Sequence, residues 1–407
     1  MRKVVVRGGR VIDPAADAPT ARPRDLLIED DRITAWLEPG EAVADAETID
    51  AAGSVVVPGL IDAHFHPFLV DIDPKIPRER HTLALELHHA LGALDAWLGS
   101  GVTTVRSAGA HANHDVELRA LQRAGVVRGP RIVASGSLVA MTSGLRAGNE
   151  AISVEVTGPD DARRVARLQI KAGVDQVKLY TSSSVGGGGG RMMGPPGWPQ
   201  LDEDEIRAVV EEADHAGIPT LAHATSEIAV KQCLRAGVHC IEHATRLDDE
   251  AIALLAERDV PIVPTLAIGW SLATFGVLRG FGEHIARTAA AKQAIGIASL
   301  QRAKAAGVRI AAGTDADNSR CLLREECRLL VEDAGFTPLE ALRAATVTAA
   351  QVLRREGEIG ALRPGYLADL LLLDADPLDD IRHLAHVRGV LQGGQVCAWR
   401  KEASVSA

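Results

Sequence analysis

The segment GLIDAHFHP, residues 59–67, carries two histidines, His64 and His66, one residue apart. On an extended chain, residues i and i+2 point to the same side, so both imidazoles can reach one metal ion. Four more residues of matching chemistry stand within or at the end of short apolar runs. They are Lys178 in DQVKLY, His223 in TLAHA, His243 in IEHA and Asp315 in AAGTDA. Neutral imidazoles and a carboxylate are the ligands expected of zinc or a similar divalent ion. Singly, each has an ordinary reading: solvated loop histidines for the HxH, a salt-bridging lysine for Lys178, a satisfied core histidine for His243, a helix N-cap for Asp315. What decides between the readings is where the surrounding elements put all six.

Short apolar runs alternate with helical patterns through the middle of the chain. Val55 to Ile61 reads as a buried strand with a Pro-Gly interruption and a loop beginning near Asp62. A helix near Leu83–Leu98 and a strand at Val102–Ser107 follow, then Glu117–Ala124 as helix and Arg131–Ser135 as strand. Asp160–Ala172 reads as a helix with Asp160 or Asp161 as cap, leading to a strand at Asp175–Leu179. Acidic residues that suit the helix dipole open Asp202–Ala216, and Pro219–His223 follows. Ser226–Ala236 leads to His239–His243, Asp248–Arg258 to Pro261–Leu266, and the long helical region Glu283–Ala306 to Arg309–Thr314. Eight β/α units in order predict an α/β fold with a closed parallel (β/α)8 TIM barrel; an open doubly wound sheet does not require eight. Active sites of such barrels lie at the C-terminal ends of the strands, so the four histidines, Lys178 and Asp315 converge on one mouth.

Both ends of the chain read differently. Val4–Arg7, Val11–Ile12, Asp25–Glu29, Arg32–Trp36 and Glu47–Asp50 are short strands separated by turns. Ala368–Asp374 is another, and Val387–Gln392 with Gln395–Trp399 forms a hairpin about Gly393 and Gly394. The expected organisation is a small β-sandwich domain from residues 1–57 and 363–407, around a barrel at 58–362. The glycine-rich stretch 181–200 lacks the spacing of a phosphate-binding loop and reads as a mobile loop over the barrel mouth.

Composition narrows the function classes. With 44 basic against 54 acidic residues the net charge is −10, which excludes a general nucleic-acid or anionic-membrane surface. No apolar run approaches the ~20 residues that span a bilayer. Arg7 and Arg10 interrupt the N-terminal valines too early for a secretion signal. Five scattered cysteines without a CxxC pair fit a reduced, cytoplasmic setting.

The HxH, the strand-four lysine, the histidines after strands five and six and the aspartate after strand eight together resemble the amidohydrolase superfamily with a binuclear metal centre. The phrases PGLIDAHFHP, GVTTVRSAG, GIPTLAHA, AGVHCIEHA, TPLEALRAAT and LRPGYLADLLLLD are similar to its imidazolonepropionase-related branch. The resemblance implies that Lys178 is carboxylated by carbon dioxide and bridges two divalent ions, most simply Zn2+. It also implies that His64, His66 and Asp315 hold one ion and His223 and His243 the other. Two cations about 3.5–4 Å apart make a bridging hydroxide near neutral pH, with Asp315 as general base and then acid. The implied activity is hydrolysis of a carbon–nitrogen amide bond in an N-acyl amino acid, dipeptide-like or xenobiotic amide. The alternatives on the same site are esterase, lactonase or phosphotriesterase chemistry, or ring deamination and cyclic-amide opening at a single ion. A non-catalytic scaffold relative would have lost ligands, and all six are intact.

Dipeptidases of this kind carry a TGGH segment after strand three and a tyrosine two residues after the strand-five histidine. Here those positions read Thr142, Ser143, Gly144, Leu145 and Thr225, which sets this chain apart from them. Arg146, Thr225, Arg320 and Arg324 are the candidate substrate-binding residues, and Arg106 reads as part of a structural ion-pair network. The expected partners are a small-molecule substrate and further copies of the chain, homo-oligomers being common in the superfamily.

Overall fold

The computed structural model describes residues 2–68, 82–144, 152–183, 197–279, 282–317 and 321–400. Seven strands open the chain: β1 (Lys3–Arg7), β2 (Arg10–Val11), β3 (Arg22–Pro23), β4 (Asp25–Glu29), β5 (Arg32–Leu37), β6 (Glu47–Asp50) and β7 (Val55–Pro58). The alternating middle runs β8 (Leu60–His66), α1 (Leu83–Gly99), β9 (Val102–Ser107), α2 (His114–Arg123), β10 (Arg131–Val133), β11 (Leu138–Met141), β12 (Ser153–Val156), α3 (Pro159–Ala172) and β13 (Val177–Tyr180). It continues with α4 (Glu203–His215), β14 (Thr220–Ala224), α5 (Glu227–Ala236), β15 (Cys240–His243), α6 (Asp249–Glu257), β16 (Ile262–Val263), α7 (Leu266–Phe275), α8 (Glu283–Ala305) and β17 (Ala316–Asp317). Three helices, α9 (Leu323–Glu332), α10 (Pro338–Ala344) and α11 (Val347–Val352), precede β18 (Leu370–Leu373), β19 (Val387–Gln392) and β20 (Gln395–Trp399).

The terminal strands form two sheets, ordered β5-β4-β1-β6 and β20-β19-β18-β7-β2-β3. Period-two alternation sorts their side chains between two cores. In β18 the sequence is four leucines, all buried; Leu370 and Leu372 join Val4, Leu26, Ile28 and Val56 in the core shared by the two terminal sheets. Leu371 and Leu373 enter the main core of the molecule instead, as do Val55 and Val57 on β7. A strand apolar on both faces is what such double burial requires.

The middle strands form two parallel arcs, β10-β9-β8-β17 and β12-β11-β13-β14-β15-β16. The expected continuous eight-stranded ring is therefore a pair of arcs joined by a few backbone hydrogen bonds. At one seam Ala311 N donates to Ile262 O (3.0 Å) and Ala63 N to Ala312 O (3.0 Å); at the other Asp175 N donates to Ala134 O (2.8 Å). The last expected strand, 309–314, is irregular apart from a bridge at Ile310. Its amides do not form a regular ladder: Ala312 N donates to Ala344 O at 2.8 Å, and Thr314 N is shared between His64 O and the Asp62 carboxylate, both at 3.1 Å. The parallel pair β11 and β12 was not legible as strands.

Where a loop is expected near Asp62, β8 instead continues to His66. Phe65, between the two histidines, faces the other way and packs on Trp97 of α1 at 4.4 Å between ring centroids, both buried, which holds the strand extended through the motif. The Pro58-Gly59 interruption marks the handover from the terminal sheet to the barrel arc. A Cβ on Gly59 would stand 2.3 Å from Thr103 Oγ1, so only glycine lets the two backbones approach. The middle helices begin at good caps: Asp202 with Glu205 in a capping box for α4, Ser226 for α5, Asp248 for α6. At α3 the cap is Gly158 with Pro159 in the first turn, not Asp160 or Asp161; Asp161 instead accepts the Thr157 N–H at 3.1 Å.

Candidate metal centre

Of the six residues read from the sequence, His64, His66, His223 and His243 lie at the C-terminal ends of β8, β14 and β15, Lys178 lies within β13, and Asp315 directly precedes β17. His64 and His66 project from β8, and each has its Nδ1 tied down. His64 Nδ1 meets Glu242 Oε2 at 2.5 Å and His66 Nδ1 meets Gly109 O at 3.1 Å. A histidine whose Nδ1–H is donated keeps Nε2 as a lone-pair ligand. Both Nε2 atoms face Asp315 Oδ1, at 3.4 and 3.2 Å. Among the described residues, His64, His66 and Asp315 bring ligand atoms within 4.8 Å of one another. His243 follows by ring contact, 5.1 Å from His64, and His223 lies 4.4 Å from His243. His243 Nδ1 is paired with Thr265 Oγ1 at 2.8 Å. His223 stacks on Tyr180 at 4.3 Å.

The backbone is strained here. His243, Ala244, Thr265 and Asp315 all adopt positive φ, between 47° and 70°, a conformation that costs a non-glycine residue of order 1 kcal/mol. Such outliers gather where geometry serves function.

Burial governs the electrostatics. It drives His243 down to about 3 and His223 well below the ordinary imidazole value, leaving both neutral and able to coordinate. Burial also pulls the Lys178 amine down to about 8, against the attraction of Glu242 and Asp315. For Asp315 burial works upward, but the neighbouring His64 and His66 override it and hold the carboxyl well below its usual range. Asp62 is pushed up to about 7 by burial despite accepting from His64 N and Thr314.

The donor set fits divalent metal. Lys178 Nζ and His223 Nε2 are buried with no hydrogen-bond partner among the described residues, although buried polar atoms are ordinarily paired. Nitrogen and carboxylate donors converging in a pocket are the chemistry that zinc-like ions take.

Of the candidate substrate residues, Thr225 lines the cavity beside His223, His243 and Asp315, with its hydroxyl donating to Ser183 O at 3.1 Å. Arg324 donates to Ala385 O at 3.3 Å. Arg146, Arg320 and the Leu145 position lie outside the described residues, as do residues 184–196 of the glycine-rich stretch. The described ends of that stretch are tied together by Ser183 N donating to Trp198 O at 2.9 Å.

Arg106 does sit in an ion-pair network, but one that reaches the centre. Its guanidinium meets Glu242 Oε1 at 2.6 Å, and Glu242 in turn holds His64. Glu242 and Thr265 were not singled out from the sequence. The signal for Glu242 was a carboxylate inside the apolar run CIEH, which demands buried partners.

The amidohydrolase family model matches residues 55–397. Ochratoxinase from Aspergillus niger is 31% identical over 362 residues, covering 81% of this chain and 72% of that protein. A 5-methylthioadenosine/S-adenosylhomocysteine deaminase from Symbiobacterium thermophilum is 27% identical, covering 92% of this chain and 86% of its own. A crystal structure of a prolidase complexed with N-methylphosphonate-L-proline superposes with a TM-score of 0.88 at 31% identity, over 97% of this chain and 99% of that one. With the family model spanning most of its length, this chain belongs to the amidohydrolase family.

Proposed function

We propose that the protein is a metal-dependent hydrolase of a carbon–nitrogen amide bond in an N-acyl amino acid, dipeptide-like or xenobiotic amide. The observation that carries this reading is Lys178: a fully buried amine with no hydrogen-bond partner among the described residues, within electrostatic reach of Asp315 and Glu242. Addition of carbon dioxide to Lys178 Nζ, with loss of one proton, converts it to a carbamate. An anionic bridge then replaces a cation among the histidines. His64, His66 and Asp315 would hold one divalent ion, His223 and His243 a second, and the carbamate both. When bound, such ions lower the pKa of water and polarise a carbonyl.

Asp315, whose carboxylate faces His64 and His66, accepts a proton from the attacking water as the carbon–oxygen bond forms. It returns that proton to the nitrogen as the carbon–nitrogen bond breaks. One water is consumed, and a carboxylic acid and an amine leave. Glu242 positions His64, and Thr265 positions His243. In this reading residues 58–362 form a (β/α)8 barrel, and 1–57 with 363–407 a composite β-sandwich. The enzyme works in the cytoplasm as a homo-oligomer on a small molecule, with no nucleic-acid or membrane partner. The free thiols of all five cysteines and the lack of a membrane-crossing helix among the described residues support that setting.

Elemental analysis of protein purified with bicarbonate and zinc, beside Lys178→Ala, tests the reading. Near two metal equivalents per chain are expected in the parent, falling in the variant together with hydrolysis of N-acyl amino acids and dipeptides. One equivalent in both would overturn the two-ion site and favour deamination or ring opening at a single ion.

A further inference from the structure

The cavity at the histidine cluster has one wall that takes no part in holding metal. That cavity, ≈ 190 Å³, is bounded by His223, His243 and Asp315 on one side and by α7 and α8 on the other. From α7 come Leu266, Ile268 and Leu272, an apolar surface; from α8 come Lys292 and Gln293. Lys292 Nζ and Gln293 Nε2 are both buried, and neither has a hydrogen-bond partner among the described residues. Two adjacent donors left open in a cavity wall need an acceptor.

The charge that acts most on Lys292, that of Arg246, has the same sign as its own. Burial and the neighbouring Arg246 pull its amine down to about 8, and Arg246 is itself paired with Glu227 at 2.6 Å. Among the described residues Lys292 Nζ has no carboxylate partner, the Asp315 carboxylate of the same cavity being taken up by His64 and His66, and the amine stands beside an apolar face. α7 also makes space for the pair: a Cβ on Gly269 would stand 2.4 Å from Gln293 Oε1.

We propose that Lys292 and Gln293 bind a free carboxylate on the substrate, with an apolar side chain of the substrate against Leu266, Ile268 and Leu272. The substrate class is then an N-acyl amino acid or dipeptide that keeps its carboxylate and carries an apolar side chain. This deepens the amide-hydrolase reading and rests on it for the position of the scissile bond.

Titration calorimetry with N-tosyl-L-leucine and N-tosyl-L-leucinamide tests the anchor, because their sulfonamide is not cut as a carboxamide is. The metal-loaded parent should bind the acid about tenfold or more tighter than the amide, as expected of a charged hydrogen bond. Lys292→Met should bring the two within about twofold, and Lys292→Arg should restore part of the preference. Lys292 is half-buried on a helix surface, and methionine keeps its length, so the fold is not at stake. Equal binding of the two probes, binding of neither, or a preference that survives Lys292→Met overturns the proposal. Hydrolysis of N-benzoyl-L-leucine, run in parallel, separates the two readings. Lys292-dependent binding without hydrolysis faults the proposed reaction and supports the anchor. Hydrolysis with an unchanged KM in Lys292→Met overturns the anchor and leaves the reaction standing.

Discussion

Glu242 is where the site and the fold share one charge. Its carboxylate lies 2.6 Å from Arg106 and 2.5 Å from His64 Nδ1, and all three side chains are fully buried. Burial alone would raise its pKa, yet Arg106 and His64 hold it well below the usual carboxylate range. Glu242→Gln keeps the shape and removes the charge. Arg106 is then a buried cation left with Ala63 O and the Cys240 thiol. Removing one partner of a buried pair in this way costs about 3–5 kcal/mol. At about 2.1 cal/mol/K per residue, the unfolding entropy of this 407-residue chain is roughly 0.85 kcal/mol/K. The melting midpoint should therefore fall by roughly 3.5–6 °C. His64 also loses the acceptor that sets its tautomer, so metal affinity should fall about 10- to 100-fold in chelator competition. In a cycle with Arg106→Gln, the double variant should cost at least about 2 kcal/mol less than the two singles combined, because no lone charge is left behind. A midpoint within 1 °C of the parent, or additive singles, refutes the shared-charge argument. Unchanged metal affinity refutes the role on His64.

Two further outcomes follow from groups outside the ligand set. The Glu326 carboxyl, pushed by burial from 4.5 up to about 8, still accepts the Ala267 N–H at 2.6 Å. Between those pH values the folded state holds a proton that the unfolded state has released, so stability falls as pH rises through that window. Glu326→Gln cannot titrate; its stability relative to the parent should grow by roughly 2–3 kcal/mol from pH 5 to pH 7, and a flat difference in denaturant midpoints would sink the argument. Gly313→Ala would put a Cβ 2.4 Å from Val263 Cγ1 and 2.8 Å from His64 N. It should cost about 1–3 kcal/mol and lower metal content with every ligand intact; parent-like values of both would show that β8 can yield there.

The proposed metal ligands could be picked out because their signal is local. A two-residue spacing puts His64 and His66 on one side, and an apolar run that stops at a polar residue marks each of His223 and His243 as a strand end. What supports them is not local. Glu242 pairs with residues 136 and 178 positions away, and periodicity reports the face a side chain occupies, never the partner it meets there. The last strand of the ring was overread for a related reason. Residues 309–315 look apolar and extended, but Thr314 N and Asp315 N both converge on the one β8 carbonyl of His64, with Thr314 N also on the Asp62 carboxylate, instead of following a regular ladder. Helix α7 was missed because Leu266–Phe275 is apolar almost all round, so no 3.6-residue stripe stands out, and its start was absorbed into the expected strand Pro261–Leu266.

That missed helix changes how the enzyme divides its work. Most of the proposed ligands sit on strands whose other faces are locked into the core, as Phe65 is against Trp97, and Asp315 directly precedes β17. Their positions are therefore tied to the stability of the fold. The cavity wall opposite them comes from α7 and α8, which pack on each other between β16 and the irregular segment before β17. A change at Lys292 or Leu272 does not disturb a strand, whereas a change at Gly313 or Glu242 does. On the proposed reading, substrate choice can vary on α7 and α8 while hydrolysis stays with the strands. For the same reason, Lys292→Met should alter KM, and Glu242→Gln should alter metal content and melting together.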